Sequence, residues 1–285
     1  MNAIELKNVK KSFGDFAIQD LTFSLPRGTI CGLVGENGAG KSTTICLLMG
    51  ALEADSGSIS VLGTDPVSSA FRDTKEDIGV VLDDTFFHGS LDAALIGKLM
   101  EKTYKNWDQA AYEDFLERFA LPAKKRFKDY SRGMRMKLGI AVALSHHPKL
   151  LVLDEPTAGL DPIIRDEVIE IFRAFALESE DHAVLISSHI LSDLEKLCDT
   201  IAFLHQGKLL FCEEKDRLLE ECGVFIGTAA QAEELDENAV IGREASGYGG
   251  VRALVRRNLV PPTLSLSPAT VEDVILFTVK GGRPS

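Results

Sequence analysis

One glycine-rich segment has the residue types and spacing of a phosphate-binding loop. Residues 35–42 read GENGAGKS, which fits the pattern G-x-x-x-x-G-K-[ST] in full. Glycines allow the backbone to turn its N–H groups toward phosphate oxygens, Lys41 supplies a full positive charge, and the Ser42 hydroxyl is suited to ligate Mg²⁺. A glycine-rich turn that binds nothing is the alternative, and the complete pattern disfavours it. The predicted nucleotide-binding residues are Gly35, Glu36, Asn37, Gly38, Ala39, Gly40, Lys41, Ser42 and Thr43.

Two acidic residues further along the chain are candidates for metal binding and catalysis. Residues 150–155 read LLVLDE, an apolar strand that ends in two carboxylates. Asp154 at the strand tip is placed to hold Mg²⁺, and Glu155 is placed to orient or deprotonate an attacking water. An isolated Asp-Glu pair would more often begin a solvated loop. The phosphate loop in the same chain favours the catalytic interpretation.

The patterns around these residues predict an α/β fold that brings them together. The apolar run TICGLVG leads directly into the phosphate loop, and a helix is predicted from residue 42 to 49. Further buried strands are predicted at 78–82, 150–154 and 183–187, with a helix at 164–177. In parallel α/β sheets, chemistry gathers at the carboxyl ends of the strands, so the two candidate groups should meet at one edge.

The remaining segments suggest how the chain is divided. Apolar residues alternate in the first 25 residues, which predicts β structure, whereas residues 86–148 show helical spacing. Glycines and prolines interrupt the chain after residue 222, and Thr270 with Asp273 predicts the cap of a last helix. We therefore predict a nucleotide-binding domain over 1–221, with a helical subdomain at about 86–148, and a small accessory domain over 222–285.

Composition restricts the classes of function. The 285 residues carry a net charge of -12, which disfavours binding along a nucleic-acid backbone, so no nucleic-acid partner is expected. The five cysteines form no Cys-x-x-Cys pair, which indicates buried thiols in a reducing compartment. The chain starts without a signal-peptide core, and its apolar runs are far shorter than a spanning helix needs. These observations predict a cytoplasmic protein.

The order of these motifs along the chain resembles that of the ATP-binding cassette (ABC) family. Residues 154–161 read DEPTAGLD and resemble that family's second acidic motif with the loop that follows it, while His189 resembles its switch histidine. Residues 130–134 read YSRGM and resemble its signature loop. Phe13 occupies the place of the aromatic residue that stacks on adenine, with Phe16 as a substitute. The resemblance covers roughly residues 1–220.

The resemblance implies a fold, a mechanism and partners. The implied fold is a RecA-like P-loop core with an antiparallel β subdomain and a helical subdomain, followed by the appendage. Two cassettes would pair head to tail around ATP and Mg²⁺, with Ser131 and Gly133 of one chain contacting the γ-phosphate held by the other. Glu155, His189 and Lys41 would be catalytic. A separate membrane permease, of an export or ABC-2-like type, would hold the cassettes at the inner face of the cell membrane.

The sequence departs from the family pattern at three places. Asp83 stands where the family usually has a glutamine, so it could still reach Mg²⁺ or water, but as an anion. Arg132 and Met134 replace a glycine and a glutamine of the signature loop. Phe13 stands where tyrosine is more usual, which is a mild change.

Other functions were weighed against the transporter hypothesis. A non-transport ABC ATPase acting on ribosomes or DNA is the main alternative, although this chain has a single phosphate loop and an acidic charge. A P-loop small-molecule kinase would leave the later motifs unexplained. A regulator that binds ATP without hydrolysing it is disfavoured because Glu155 and His189 are both present.

Overall fold

The structure is a computed structural model whose described part, residues 1–82, 87–247 and 250–281, forms three β-sheets surrounded by helices. The strands are β1 (Asn2–Phe13), β2 (Phe16–Pro26), β3 (Ile30–Val34), β4 (Ser56–Val61), β5 (Ile78–Val81), β6 (Leu150–Asp154), β7 (Ala183–Ser188), β8 (Thr200–His205), β9 (Lys208–Glu214), β10 (Cys222–Thr228), β11 (Val240–Ser246), β12 (Gly250–Arg256) and β13 (Ser267–Pro268). The helices are α1 (Lys41–Leu48), α2 (Phe71–Thr74), α3 (Ala93–Glu101), α4 (Gln109–Arg118), α5 (Arg132–Leu144), α6 (Pro162–Glu178), α7 (Leu191–Leu197), α8 (Lys215–Glu221), α9 (Ala229–Glu233) and α10 (Val271–Gly281).

The central sheet carries the candidate site. Its order is β5-β6-β7-β3-β8-β9, and all neighbours are parallel except β8 and β9. Leu151 and Leu153 pack in one apolar cluster, and Leu150 and Val152 in another, so β6 is buried on both faces. Burial on both faces is why these strands read as continuous apolar runs. Since β3, β6 and β7 run in parallel, their carboxyl ends meet at one edge.

A second sheet packs the N-terminal part of the chain over this core. Its order is β2-β1-β4, all antiparallel, and β1 turns into β2 between the paired residues Phe13 and Phe16. Ile4, Leu6 and Leu21 are buried on its inner face, as their alternation predicts. The prediction of an α/β fold with an antiparallel N-terminal sheet is therefore confirmed.

Helices α3, α4 and α5 lie between β5 and β6. Asp92, Asp108 and Ser131 each cap one of them by accepting a hydrogen bond from a backbone N–H of the first turn. Lys137 of α5 donates to Glu167 of α6 at 2.9 Å, which ties these helices to the core. Among the residues that the structure describes, no helix combines the length and the apolarity needed to cross a bilayer.

The chain after residue 221 forms the third sheet, in the order β11-β12-β10-β13. Val224 and Leu254 on one face pack against Phe277 of α10. Thr270 and Asp273 cap α10 reciprocally, as the sequence predicts: the Thr270 hydroxyl accepts from the Asp273 N–H at 3.1 Å, and the Asp273 carboxylate accepts from the Thr270 N–H. The sequence pattern predicts this helix but not the strands of the third sheet.

Candidate nucleotide-hydrolysis site

The phosphate loop packs closely against the rest of the chain because its glycines lack side chains. It leaves β3 and enters α1, which begins at Lys41. A Cβ added at Gly35 would lie 2.4 Å from the Leu204 carbonyl oxygen, and one at Gly40 would lie 2.5 Å from Cδ1 of Ile18. Gly40 also has φ +112°, which favours glycine. The loop therefore presents backbone N–H groups at a helix N-terminus, where the helix dipole favours an anion.

The ammonium group of Lys41 lies against the phosphate loop. Its side chain is 7% exposed, and Nζ donates to the carbonyl oxygens of Gly35 at 2.7 Å and Glu36 at 3.3 Å. Nζ also lies 3.7 Å from Oε1 of Glu155. The ammonium group is thus positioned between the phosphate loop and Glu155, the second acidic residue.

Asp154 joins the loop to the acidic strand. Its Oδ2 accepts a hydrogen bond from Ser42 Oγ at 2.9 Å, and its Oδ1 accepts one from Ser187 Oγ at 2.5 Å. A hydroxyl and a carboxylate that face each other are hard oxygen donors, the type that Mg²⁺ prefers. The donor set therefore fits Mg²⁺, with Ser42 and Asp154 as the residues that would hold it.

A thiol near this donor set stays protonated. Burial, and to a smaller extent the negative charge of Asp154, raise the pKa of Cys46 in α1. A protonated thiol is a poor metal ligand and a poor nucleophile. Cys46 therefore does not compete with the oxygen donors for a hard cation.

Glu155 and His189 contact each other beside the phosphate loop. Glu155 Oε2 lies 2.7 Å from His189 Nδ1 and also accepts from the His189 backbone N–H at 3.3 Å. The Glu155 backbone has φ +50°, and its N–H donates to the Ser187 carbonyl at 3.1 Å. The carboxylate is 14% exposed and the imidazole 56% exposed, so the pair opens to solvent through the histidine. This arrangement can orient a water and accept its proton.

The phosphate loop and the two acidic residues surround one cavity of about 490 Å³, and His189 is not part of its lining. It is lined by Phe16, Asn37, Gly38, Gly40, Lys41, Ser42, Thr43, Asp154 and Glu155. Gly35, Glu36 and Ala39 are outside this lining, and the first two contribute carbonyl oxygens that fix Lys41. The structure thus brings the phosphate loop and the acidic pair together, as the sequence predicts.

The aromatic residue that lines the cavity is Phe16. Phe13 pairs with it across the β1-β2 turn and is 40% exposed, with Lys11 Nζ 5.6 Å from its ring centre. Phe13 does not line the cavity. The adenine-stacking role given to Phe13 stays a prediction, and Phe16 stands closer to the phosphate loop.

The signature-loop residues lie away from this chain's own cavity. Ser131 caps α5, with its Oγ accepting from the Met134 N–H at 3.3 Å, and its side chain is exposed. A Cβ added at Gly133 would lie 3.5 Å from Cδ2 of Leu160 and 3.9 Å from Cδ1 of Ile164, so this loop packs on the start of α6. An exposed hydroxyl at a helix N-terminus is suited to an anion supplied from outside the chain.

Two further residues complete the comparison with the sequence. Asp83, predicted as a metal ligand, lies outside the described residues. Ser187 was missed as a site residue, although its hydroxyl contacts Asp154 and accepts from the Glu155 N–H at 3.2 Å. The signal for Ser187 was its position at the end of a buried strand, two residues before His189.

Known proteins were compared with this chain and this geometry. The family model described as "ABC transporter" matches residues 18–158, and one described as "AAA domain, putative AbiEii toxin, Type IV TA system" matches residues 126–192. The uncharacterized ABC transporter ATP-binding protein YhcH of Bacillus subtilis (strain 168) is 31% identical over 97% of this chain and 91% of its own length. The chain belongs to the ABC transporter family. As an ATP-binding member of that family it is an ATPase, and its cofactors are ATP and Mg²⁺.

Other relatives of this ABC protein carry transport names. The lantibiotic transport ATP-binding protein SrtF of Streptococcus pyogenes is 37% identical over 75% of this chain and 91% of its own length. The bacitracin transport ATP-binding protein BcrA of Bacillus licheniformis is 37% identical over 73% of this chain and 68% of its own.

Solved structures agree on the fold. One titled as the ATP-binding subunit of an ABC transporter superposes with a TM-score of 0.69 at 27% identity, over 76% of this chain and 92% of that chain. A dimeric ATP-binding cassette in a post-hydrolysis state, bound to ADP and Pi, has a TM-score of 0.66 at 19% identity, over 74% of this chain and 98% of that chain. The second likeness shows the fold alone.

Proposed function

We propose that this ABC protein drives a separate membrane permease through ATP-dependent, head-to-tail pairing of two cassettes. The observation that carries the proposal is the Glu155–His189 contact of 2.7 Å, set beside Lys41 and the Ser42–Asp154 pair. A site that only binds nucleotide does not need a carboxylate and an imidazole aimed at the place of the attacking water. The geometry therefore supports ATP hydrolysis, and ATP hydrolysis supplies the free energy to drive a partner protein.

Each side chain has one task in this proposal. The phosphate loop and Lys41 bind the phosphates of ATP through N–H groups and charge. Mg²⁺, held by Ser42 and Asp154, would neutralise charge on the phosphate oxygens. Glu155 accepts the proton of the attacking water, and His189 fixes the carboxylate and contacts the γ-phosphate. The role proposed for Asp83 concerns the same metal or water.

The second cassette completes each site. Ser131 and Gly133 lie outside their own chain's cavity but at an exposed helix N-terminus, so they would contact the γ-phosphate held by the partner cassette. The solved cassette of this fold that is bound to ADP and Pi is dimeric. The partner cassette is a second copy or a related chain.

The helices between β5 and β6 offer a surface for the permease. Leu95 and Leu99 lie one turn apart on α3 and are 48% and 47% exposed. An apolar pair on one helix face is suited to a short helix of a partner. The transport names of SrtF and BcrA favour an export or ABC-2-like permease, which would hold the protein at the inner face of the cell membrane. In this proposal residues 1–221 are the cassette, and residues 222–285 are the accessory domain.

A ribosome- or DNA-acting ATPase is the alternative function. The net charge of -12 disfavours it, and the relatives described above carry transporter names instead. No observation on the described residues favours it.

The test is recovery of partners from detergent-solubilised membranes of the source cell. Glu155→Gln should bind ATP, lose turnover and accumulate as a dimer, because the general base is removed while the phosphate contacts stay. With ATP present it should capture a multi-spanning permease, and Lys41→Ala should capture much less. Capture of ribosomes or DNA-processing proteins without any membrane protein would overturn the transport proposal and leave the ATPase chemistry in place.

A further inference from the structure

Arg132 occupies the first position of α5, in the signature loop, where the family resemblance leads us to expect glycine. Its side chain lies on the loop that follows Glu155 in the same chain. A Cβ added at Gly159 would lie 2.9 Å from Nη1 of Arg132 and 3.3 Å from its Cζ. The guanidinium therefore lies over Gly159, and Gly159 itself has φ +70°, a backbone conformation that favours glycine.

The loop under Arg132 leads back to the catalytic carboxylate through two linked turns. The Ala158 N–H donates to the Glu155 carbonyl at 3.1 Å, and the Leu160 N–H donates to the Thr157 carbonyl at 3.3 Å. The Glu155 backbone itself is in the left-handed region, which is unusual for a residue with a side chain. Such a conformation persists only when the surrounding structure holds it. Gly159 therefore lies four residues from Glu155, on a loop whose two turns link it to the Glu155 carbonyl.

We propose that Arg132 is a positioning residue for Glu155, acting through Gly159 and the two turns. The inference rests on the catalytic role proposed for Glu155. It assigns the extra charge of the signature loop to a contact within the chain, and not to a phosphate of the partner's ATP. The two roles differ in whether a partner is needed: a contact with Gly159 contributes to the unfolding free energy of the isolated chain, whereas a contact with the partner's ATP does not.

The test is a double-mutant cycle on the full chain, made from Arg132→Gly, Gly159→Ala and the double variant. Gly159→Ala is destabilising for two reasons, the positive φ and the conflict of the added Cβ with the guanidinium. Arg132→Gly removes only the conflict with the guanidinium. Gly63→Ala is the matched control, because Gly63 has φ +86° and no atom within 4 Å of an added Cβ. ATP hydrolysis gives kcat and KM, and urea unfolding of each variant reports the contact without any partner chain.

We expect Gly159→Ala to lower kcat about tenfold in the native background and about twofold in the Arg132→Gly background, with KM for ATP within about twofold throughout. Gly63→Ala should cost the same stability in both backgrounds and leave kcat unchanged. Arg132→Lys should fail to restore kcat, because a lysine keeps the charge but lacks the planar guanidinium.

Three results would overturn the inference. Additive effects of Arg132→Gly and Gly159→Ala on both kcat and unfolding, with normal wild-type hydrolysis, would remove the inference and leave the proposed function intact. A raised KM that Arg132→Lys restores would make Arg132 a phosphate ligand. Wild-type protein without ATP hydrolysis would remove the proposed function and the inference together.

Discussion

Replacing Ser187 by alanine removes the hydroxyl that joins the two acidic residues of the nucleotide site. Ser187 is fully buried at the end of β7, where it donates to Asp154 Oδ1 at 2.5 Å and accepts from the Glu155 N–H at 3.2 Å. Asp154 is 8% exposed and keeps its bond from Ser42 in the variant. The substitution therefore leaves one carboxylate oxygen buried without its protein donor.

The magnitude follows from the kind of hydrogen bond that is lost. A hydrogen bond to a charged group contributes about 1.5–3 kcal/mol, and the space left by one oxygen is too small to add a large cavity cost. We expect Ser187→Ala to lose about 2 kcal/mol of unfolding free energy, which is about a 30-fold change in the ratio of folded to unfolded protein. The melting temperature should fall by about 3–4 °C.

Urea unfolding without nucleotide is the assay, with Ser188→Ala as the matched control. Ser188 is equally buried, but its Oγ accepts from the neutral Ile190 N–H at 2.9 Å, so its loss should cost about 1 kcal/mol. Hydrolysis by Ser187→Ala should also need several-fold more Mg²⁺ for half-maximal rate, because Asp154 is less firmly held. A stability loss no larger than that of Ser188→Ala, with an unchanged Mg²⁺ requirement, would refute the reasoning.

Three other predictions concern the aromatic pair, the glycines of the loop and a buried histidine. Phe16→Ala should weaken ATP binding about 5- to 100-fold by loss of base stacking, and Phe13→Ala should have a smaller effect, because of the two only Phe16 lines the cavity. Competition with a fluorescent ATP analogue measures both affinities. A larger loss of affinity for Phe13→Ala would restore the assignment of Phe13 as the adenine-stacking residue. Gly35→Ala should lower the melting temperature far more than Gly38→Ala. An added Cβ at Gly35 lies 2.4 Å from the Leu204 carbonyl oxygen, whereas one at Gly38 meets nothing within 4 Å. Equal melting temperatures would contradict the close packing of Gly35 against Leu204. Burial lowers the pKa of His146, so the unfolded chain binds a proton first as the pH falls below about 6.5, and unfolding free energy is lost over that range. When unfolding is measured from pH 7.5 to 5, His146→Asn should lose less unfolding free energy than the control His147→Gln. Identical slopes of unfolding free energy against pH would exclude His146 as the cause.

Local residue types were enough to predict the parts of the site that are contiguous in the chain. The phosphate loop, the strand ending in Asp154 and Glu155, and the Ser131 cap each depend on spacing within fewer than ten residues. The same holds for the parallel core strands, because burial on both faces leaves an apolar run in the sequence. Fold class and family could therefore be predicted from the sequence alone.

Tertiary structure decided the features that join distant segments. Ser187 reaches Asp154 only because β6 and β7 are parallel neighbours in register. Phe16, and not Phe13, lines the cavity because the β1-β2 turn places Phe16 beside the phosphate loop. Arg132 meets Gly159 across a gap of 27 positions, through the packing of α5 on α6. Strands β10, β11 and β12 were missed because each contains glycine, which weakens the strand signal, and because they are stabilised by their neighbours in the sheet and by α10. Such contacts depend on which elements become neighbours, and local residue order does not encode that choice.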